Sequence, residues 1–257
     1  MMKTLLVRGM LAGLIAGVLA TLFAYLFGEP SVNAAIGIEE AGTAAHSHTH
    51  EPATTGPGTA EPAEQPEEEL VSRDVQSTIG LFTGVGLYGI AIGGLFSLAF
   101  AFVYGRLGRL RPQVTAALLT GGAFVVVFFV PFLKYPANPP AVGQPGTIGT
   151  RTELYFGFVA LSLLVGILAA AFGRKLADKL GAWRGALLAC AGYLVTMALA
   201  AWLMPIIDEV PATFPASTLW SFRTASIGTQ LTLWITLGLL FGAFAKKALK
   251  KSEPVAA

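Results

Sequence analysis

LLVRGMLAGLIAGVLATLFAYLF, residues 5–27, is apolar apart from Arg8 and a set of small residues. A run of roughly 20 such residues spans the hydrocarbon core as a helix. The rival reading is a secretory signal peptide, because Lys3 and Arg8 precede apolar sequence. The run is longer than an h-region of about 7–15 residues, and no Ala-x-Ala cleavage site follows it. Gly9, Gly13 and Gly17 recur on one helical face. That spacing lets a second helix approach closely, and a cleaved peptide has no use for it. A retained membrane helix is therefore expected, ended by Gly28-Glu29-Pro30.

The rest of the chain repeats the pattern. Further apolar runs cover about 79–104, 114–133, 154–172, 185–204 and 225–245. The second holds Gly80, Gly84, Gly86, Gly89, Gly93 and Gly94, which membrane helices tolerate at packing faces. The 257 residues are 54% hydrophobic and 12% charged, with mean hydropathy +0.66. A soluble domain carries about 25% charged residues. The expected fold is an all-α integral membrane protein, a six-span helix bundle forming one domain over 1–257. Cys190 lies in an apolar run and is expected as a buried thiol.

Six spans place both termini on one side. The net charge of +2 says little, but its distribution says more. Thirteen of the seventeen Lys and Arg residues fall on the terminal side, and all but Asp178 and Glu253 of the fifteen acids fall on the other. The positive-inside rule then puts the termini in the cytoplasm. Arg73, Arg151 and Arg223 each stand shortly before an inward-running helix, which suggests a weak threefold hairpin repeat. These arginines and nearby carboxylates either form ion pairs or gate a cation. Trp220 and Phe222 suit an interfacial aromatic belt.

The outer loops carry the chemistry. Residues 41–69 are rich in Pro, Thr, Ala and Glu and are expected to form a disordered external loop. It holds His46, His48, His50 and Glu51, and these are all the histidines of the chain. Imidazoles and carboxylates ligate Co, Ni, Zn and Cu. Glu29, Glu39, Glu40, Asp208 and Glu209 are candidates to pass a captured ion towards the bundle. Pro136, Pro139 and Pro140 make the second outer loop rigid. Between the ends of spans two to six no Asp, Glu, Lys, Arg or His occurs. Thr83, Ser97, Ser162, Thr196, Gln230, Thr232 and Thr236 remain, and Gln230-Leu231-Thr232 is a candidate path lining. Walker A and dinucleotide fingerprints are missing, as are a nucleic-acid motif and a nucleophile-plus-base set, so neither an enzyme nor a nucleic-acid binder is expected.

Arg8-Gly9-Met10-Leu11-Ala12-Gly13, Glu29-Pro30, Ile38-Glu39-Glu40-Ala41, Val71-Ser72-Arg73 and Gly80-Leu81-Phe82-Thr83-Gly84 lead to a family. So do Asp208-Glu209-Val210-Pro211, Phe222-Arg223 and, most sharply, Pro131-Phe132-Leu133-Lys134-Tyr135-Pro136-Ala137-Asn138-Pro139-Pro140-Ala141-Val142-Gly143. The chain resembles CbtA, the predicted cobalt transporter subunit, over nearly its whole length. The resemblance implies cobalt uptake for cobalamin synthesis at a bacterial inner membrane. It also implies a small single-span His-bearing partner, CbtB, and cobalt as captured or transported metal rather than a tightly bound cofactor. The ligand types alone leave Ni and Zn open. They also leave open a membrane scaffold or metal sensor acting through a partner.

Overall fold

The computed structural model describes residues 2–47, 71–106, 108 and 110–251. Six helices among these residues are long and apolar enough to cross a membrane, the first and last at the chain ends. The first is α1 (Met2–Phe23), a wide π-helical turn (Ala24–Gly28) and α2 (Glu29–Ser47). It does not end at Pro30. Proline clashes with the carbonyl four residues earlier in a regular α-helix, and the wide turn lies just where that clash would fall. Helix therefore continues through the part of the predicted loop up to Ser47, and residues 48–69 of that loop lie outside the described residues.

The second span is α3 (Arg73–Val75), a π turn (Gln76–Gly80) and α4 (Leu81–Val103). The third is α5 (Pro112–Ala123), a π segment (Phe124–Phe129) and α6 (Val130–Lys134). The fourth, α7 (Ile148–Leu180), is longer than expected and carries Arg174, Lys175 and Lys179 on helix rather than loop. The fifth and sixth are α8 (Ala182–Leu203) and α9 (Ala216–Lys251).

The glycine faces of α1 and α4 meet. A Cβ added to Gly13 would strike the Gly89 carbonyl, and one added to Gly93 would strike that of Gly9. One added to Gly17 would lie 3.0 Å from the Val85 carbonyl oxygen. Only hydrogen side chains allow the two backbones to touch, as the spacing predicted. α1 also packs on α9, and α9 on α5. Their shared core holds Leu5, Phe96, Phe100, Leu233, Leu237 and Phe241.

α7 and α8 pack on each other and reach the bundle through the π segment. There the Ser162 hydroxyl donates to the Val126 carbonyl at 2.6 Å and accepts from Tyr193 at 2.7 Å. A π segment leaves carbonyls without their usual partners, and Ser162 takes one of them. α8 and α9 are consecutive but barely touch, so the suggested repeat of three alike hairpins does not describe the packing. Cys190 is exposed on the outer surface of α8 rather than buried. The α7–α8 pair offers so little covered surface that an apolar position there faces the bilayer by default.

Opposite the termini, α2 and the two remaining loops build a cap. Ala35, Val142 and Phe214 form its core, with Ile38, Val210 and Leu219 packed against them. Lys134 and Tyr135 fasten the base of the cap. Lys134 Nζ donates to the Met204 carbonyl at 3.0 Å, and the Tyr135 hydroxyl to that of Pro205 at 2.9 Å.

Candidate functional site: a vestibule under the cap

Beneath the cap, a cavity of about 1470 Å³ enters the bundle between the α1–α4–α9 body and the α7–α8 pair. It descends to Val85, Tyr88 and Ile92 on α4, to Thr229 and Gln230 on α9, and to Val127 and Phe128 in the π segment. By helical rise, Tyr88 and Gln230 lie about 20 Å along their helices from Arg73 and Ala216. Gln230 Oε1 accepts the Trp234 indole N–H at 3.2 Å, and the Gln230 amide also bonds the Tyr88 hydroxyl. The floor is thus polar and uncharged. Below it, Phe96, Phe100 and Phe241 interlock edge to face, with ring centroids 5.0 Å apart for Phe100–Phe241 and 5.2 Å for Phe96–Phe241. All three are 5% exposed or less, so the space beyond the floor is filled.

The rim is charged. Glu29, the first residue of α2, pairs with Arg73, which also donates to Asn33 Oδ1 at 3.1 Å. This contact holds the start of the second span against the second half of the first. Glu209 accepts the Gln144 backbone N–H at 2.9 Å and faces Arg151 at 3.5 Å. Arg151 also donates to the Gln144 carbonyl at 3.4 Å. The proline loop, the start of α7 and the loop after α8 are thereby tied at one point. The Thr147 hydroxyl, the Gln144 N–H and the Arg151 guanidinium hold the Glu209 carboxyl below the usual carboxylate range. Arg223, in the second turn of α9, donates to Asn138 Oδ1 at 3.0 Å and to the Ala137 carbonyl at 3.4 Å.

The proline loop owes its path to two unusual residues. Ala141 has φ +63° and Gly143 φ +118°. A Cβ at Gly143 would lie 2.8 Å from Arg151 Cζ, so the guanidinium rests directly on the glycine. The rigid loop expected from its prolines is a loop that seats Arg151.

Of the predicted metal residues, Glu29, Asp208 and Glu209 line this cavity. Glu39 and Glu40 are exposed on α2 and do not line it. His46 belongs to the last turn of α2, and His48, His50 and Glu51 lie outside the described residues. Among the described residues no three His, Cys, Asp or Glu side chains converge. Of the polar span residues singled out from sequence, only Gln230 lines the cavity. Thr232 bonds back to the Gly228 carbonyl instead, at 2.8 Å. Tyr88 and Tyr155 line it too and were not anticipated. The available signal was a phenol at the middle of a glycine-rich span, where a hydroxyl needs a partner.

No curated protein and no solved structure matches the chain. The family model of the probable cobalt transporter subunit CbtA matches residues 2–246. With six membrane-length helices among the described residues, and a match over nearly its whole length, this chain belongs to the CbtA family of probable cobalt transporter subunits.

Proposed function

We propose that the chain takes up a divalent transition metal, cobalt first, in support of cobalamin synthesis, and that metal is captured at the capped face. The cap faces the periplasm or cell exterior, and both termini lie in the cytoplasm of a bacterial inner membrane. One observation carries the reading. The cavity opens at the acidic end, reaches mid-span, and meets a packed aromatic plug before the basic end. A cargo admitted from the acidic side would rest at Tyr88 and Gln230, and the plug would have to part for it to pass.

The acids act as a collecting rim rather than as a closed coordination site. Glu29 and Glu209 are already engaged by arginines, while Asp208 is exposed. His46, His48, His50 and Glu51 supply the first contact. Passing the plug is the task in which a small single-span partner, CbtB-like and His-bearing, takes part.

The plug also supports a second reading, in which the chain is a scaffold or sensor that binds metal outside and acts through a partner. Radiolabelled cobalt uptake decides between them, in cells lacking other cobalt importers, with this chain alone and with its small partner. Uptake in either arm supports transport. No uptake in both arms refutes it and leaves the scaffold. Within the transport reading, Glu209→Ala lowers uptake more than deletion of residues 44–65, and the reverse ranking would move the important acids to the histidine segment.

A further inference from the structure

We propose that the metal enters the vestibule as an anionic complex, an ion held by a small carboxylate chelator, and that Lys134, Arg151 and Arg223 bind its carboxylates. The inference rests on the uptake role above and specifies the form of its cargo.

Size is the first argument. A divalent ion with six waters occupies roughly 200 Å³ at about 30 Å³ per water. The cavity, at about 1470 Å³, is several times larger. Pockets for small organic molecules run to roughly 300–1,000 Å³. The cavity therefore has room for an ion together with its chelator.

Charge is the second. Lys134 and Arg223 line the cavity and donate to neutral oxygens; neither forms a close ion pair among the described residues, although Arg223 also feels the charge of Asp208. Arg151 reaches Glu209 through its Nε, which is shielded from solvent and, at 3.5 Å from the Glu209 carboxylate, makes an ion pair without a well-formed hydrogen bond. A guanidinium presents a planar fork that matches a carboxylate, and a half-buried cation gains most from an ionised acceptor. Three such groups in one cavity favour an anion with several carboxylates. For a bare cation the same groups are repulsive, Glu29 and Glu209 are already occupied by arginines, and Asp208 shares its charge with Arg223. The apolar walls near Tyr155 and Phe156 suit the carbon frame of a chelator.

An anionic lipid headgroup shares this chemistry, so the test separates the two. The full chain is placed in nanodiscs of zwitterionic lipid, and retention of radiolabelled citrate is measured with and without equimolar cobalt. The measurement is repeated with residues 44–65 deleted, so that cobalt–citrate held through the histidine segment is subtracted. The cobalt–citrate complex is retained, and Arg223→Gln and Lys134→Gln each weaken it about tenfold, the size of one charge-assisted hydrogen bond. Arg223→Lys keeps part of the affinity, which shows that folding is not the cause. No retention in the presence of cobalt, or equal retention by both Gln variants, overturns the proposal. Loss of retention when anionic lipid is added assigns the cavity to a headgroup and overturns it as well. If citrate is not retained while cells still take up cobalt, the chelate is wrong and the uptake role stands. If neither occurs, the role itself fails.

Discussion

Along α1, Gly9, Gly13 and Gly17 lie against Gly93, Gly89 and Gly86 of α4, with the small Ser97 side chain beside Gly9. Nearer the cap, the same α4 turns Val85 and Tyr88 towards a cavity of about 1470 Å³. Both regions lack charge at mid-depth, so charge does not separate them. What differs is what holds the neighbouring helices. At the seam, two antiparallel glycine faces at matching intervals allow contact along several turns. At the vestibule, Arg151 and Arg223 bond to the loops of the cap rather than to a facing helix. Helices fastened through their loops need not touch below them. The seam is closed by shape, and the vestibule is kept open by polar latches above it.

The comparison is broken most severely at the seam. Gly13→Leu places a branched side chain against the Gly89 carbonyl, and overpacking of this kind costs about 3 kcal/mol or more. The variant is expected to lose its monodisperse peak in size-exclusion chromatography. A variant that keeps a wild-type thermal transition would show that the helices can part without harm.

The plug below the vestibule comes next. Phe241→Ala removes the ring that both Phe96 and Phe100 contact, at a cost of about 3 kcal/mol. The unfolding transition drops, and water-soluble thiol reagents reach a cysteine placed at Leu237 from the cap side. A cysteine that stays unreactive would mean that the floor at Gln230, not the aromatic cluster, closes the path.

A smaller effect is expected at Gly143→Ala. The alanine must adopt a φ of +118° under the Arg151 guanidinium, a strain of about 1–3 kcal/mol. Spin labels on the proline loop and on the loop after α8 should report a longer distance. An unchanged distance would show that Arg151 does not hold the cap.

The mildest test is titration of Glu209. Its folded pKa lies below the usual carboxylate value, so the ionised form stabilises the fold. That contribution is present above the unfolded pKa, near 4.5, and is lost as pH falls through the lower folded value. Glu209→Gln should remove this part of the acid dependence while leaving the seam intact. An acid profile identical to the parent would place the latch elsewhere.

The sequence by itself determined the six spans, the side each loop occupies relative to the others, and the glycine contact of the first two helices. Each follows from local chemistry: run length against membrane thickness, charge along the chain, and a fixed helical interval. It also marked Glu29, Asp208, Glu209 and Gln230, all of which line the cavity. Only the tertiary structure decided that the first helix runs past Pro30, because a π turn upstream accommodates the proline. It alone placed Glu39 and Glu40 away from the cavity, turned Cys190 outward, and brought Arg151, Gln144 and Glu209 to one point. Those outcomes depend on which helix packs beside which. Neither composition nor periodicity carries that information for α7 and α8, which are apolar on every side between their charged ends.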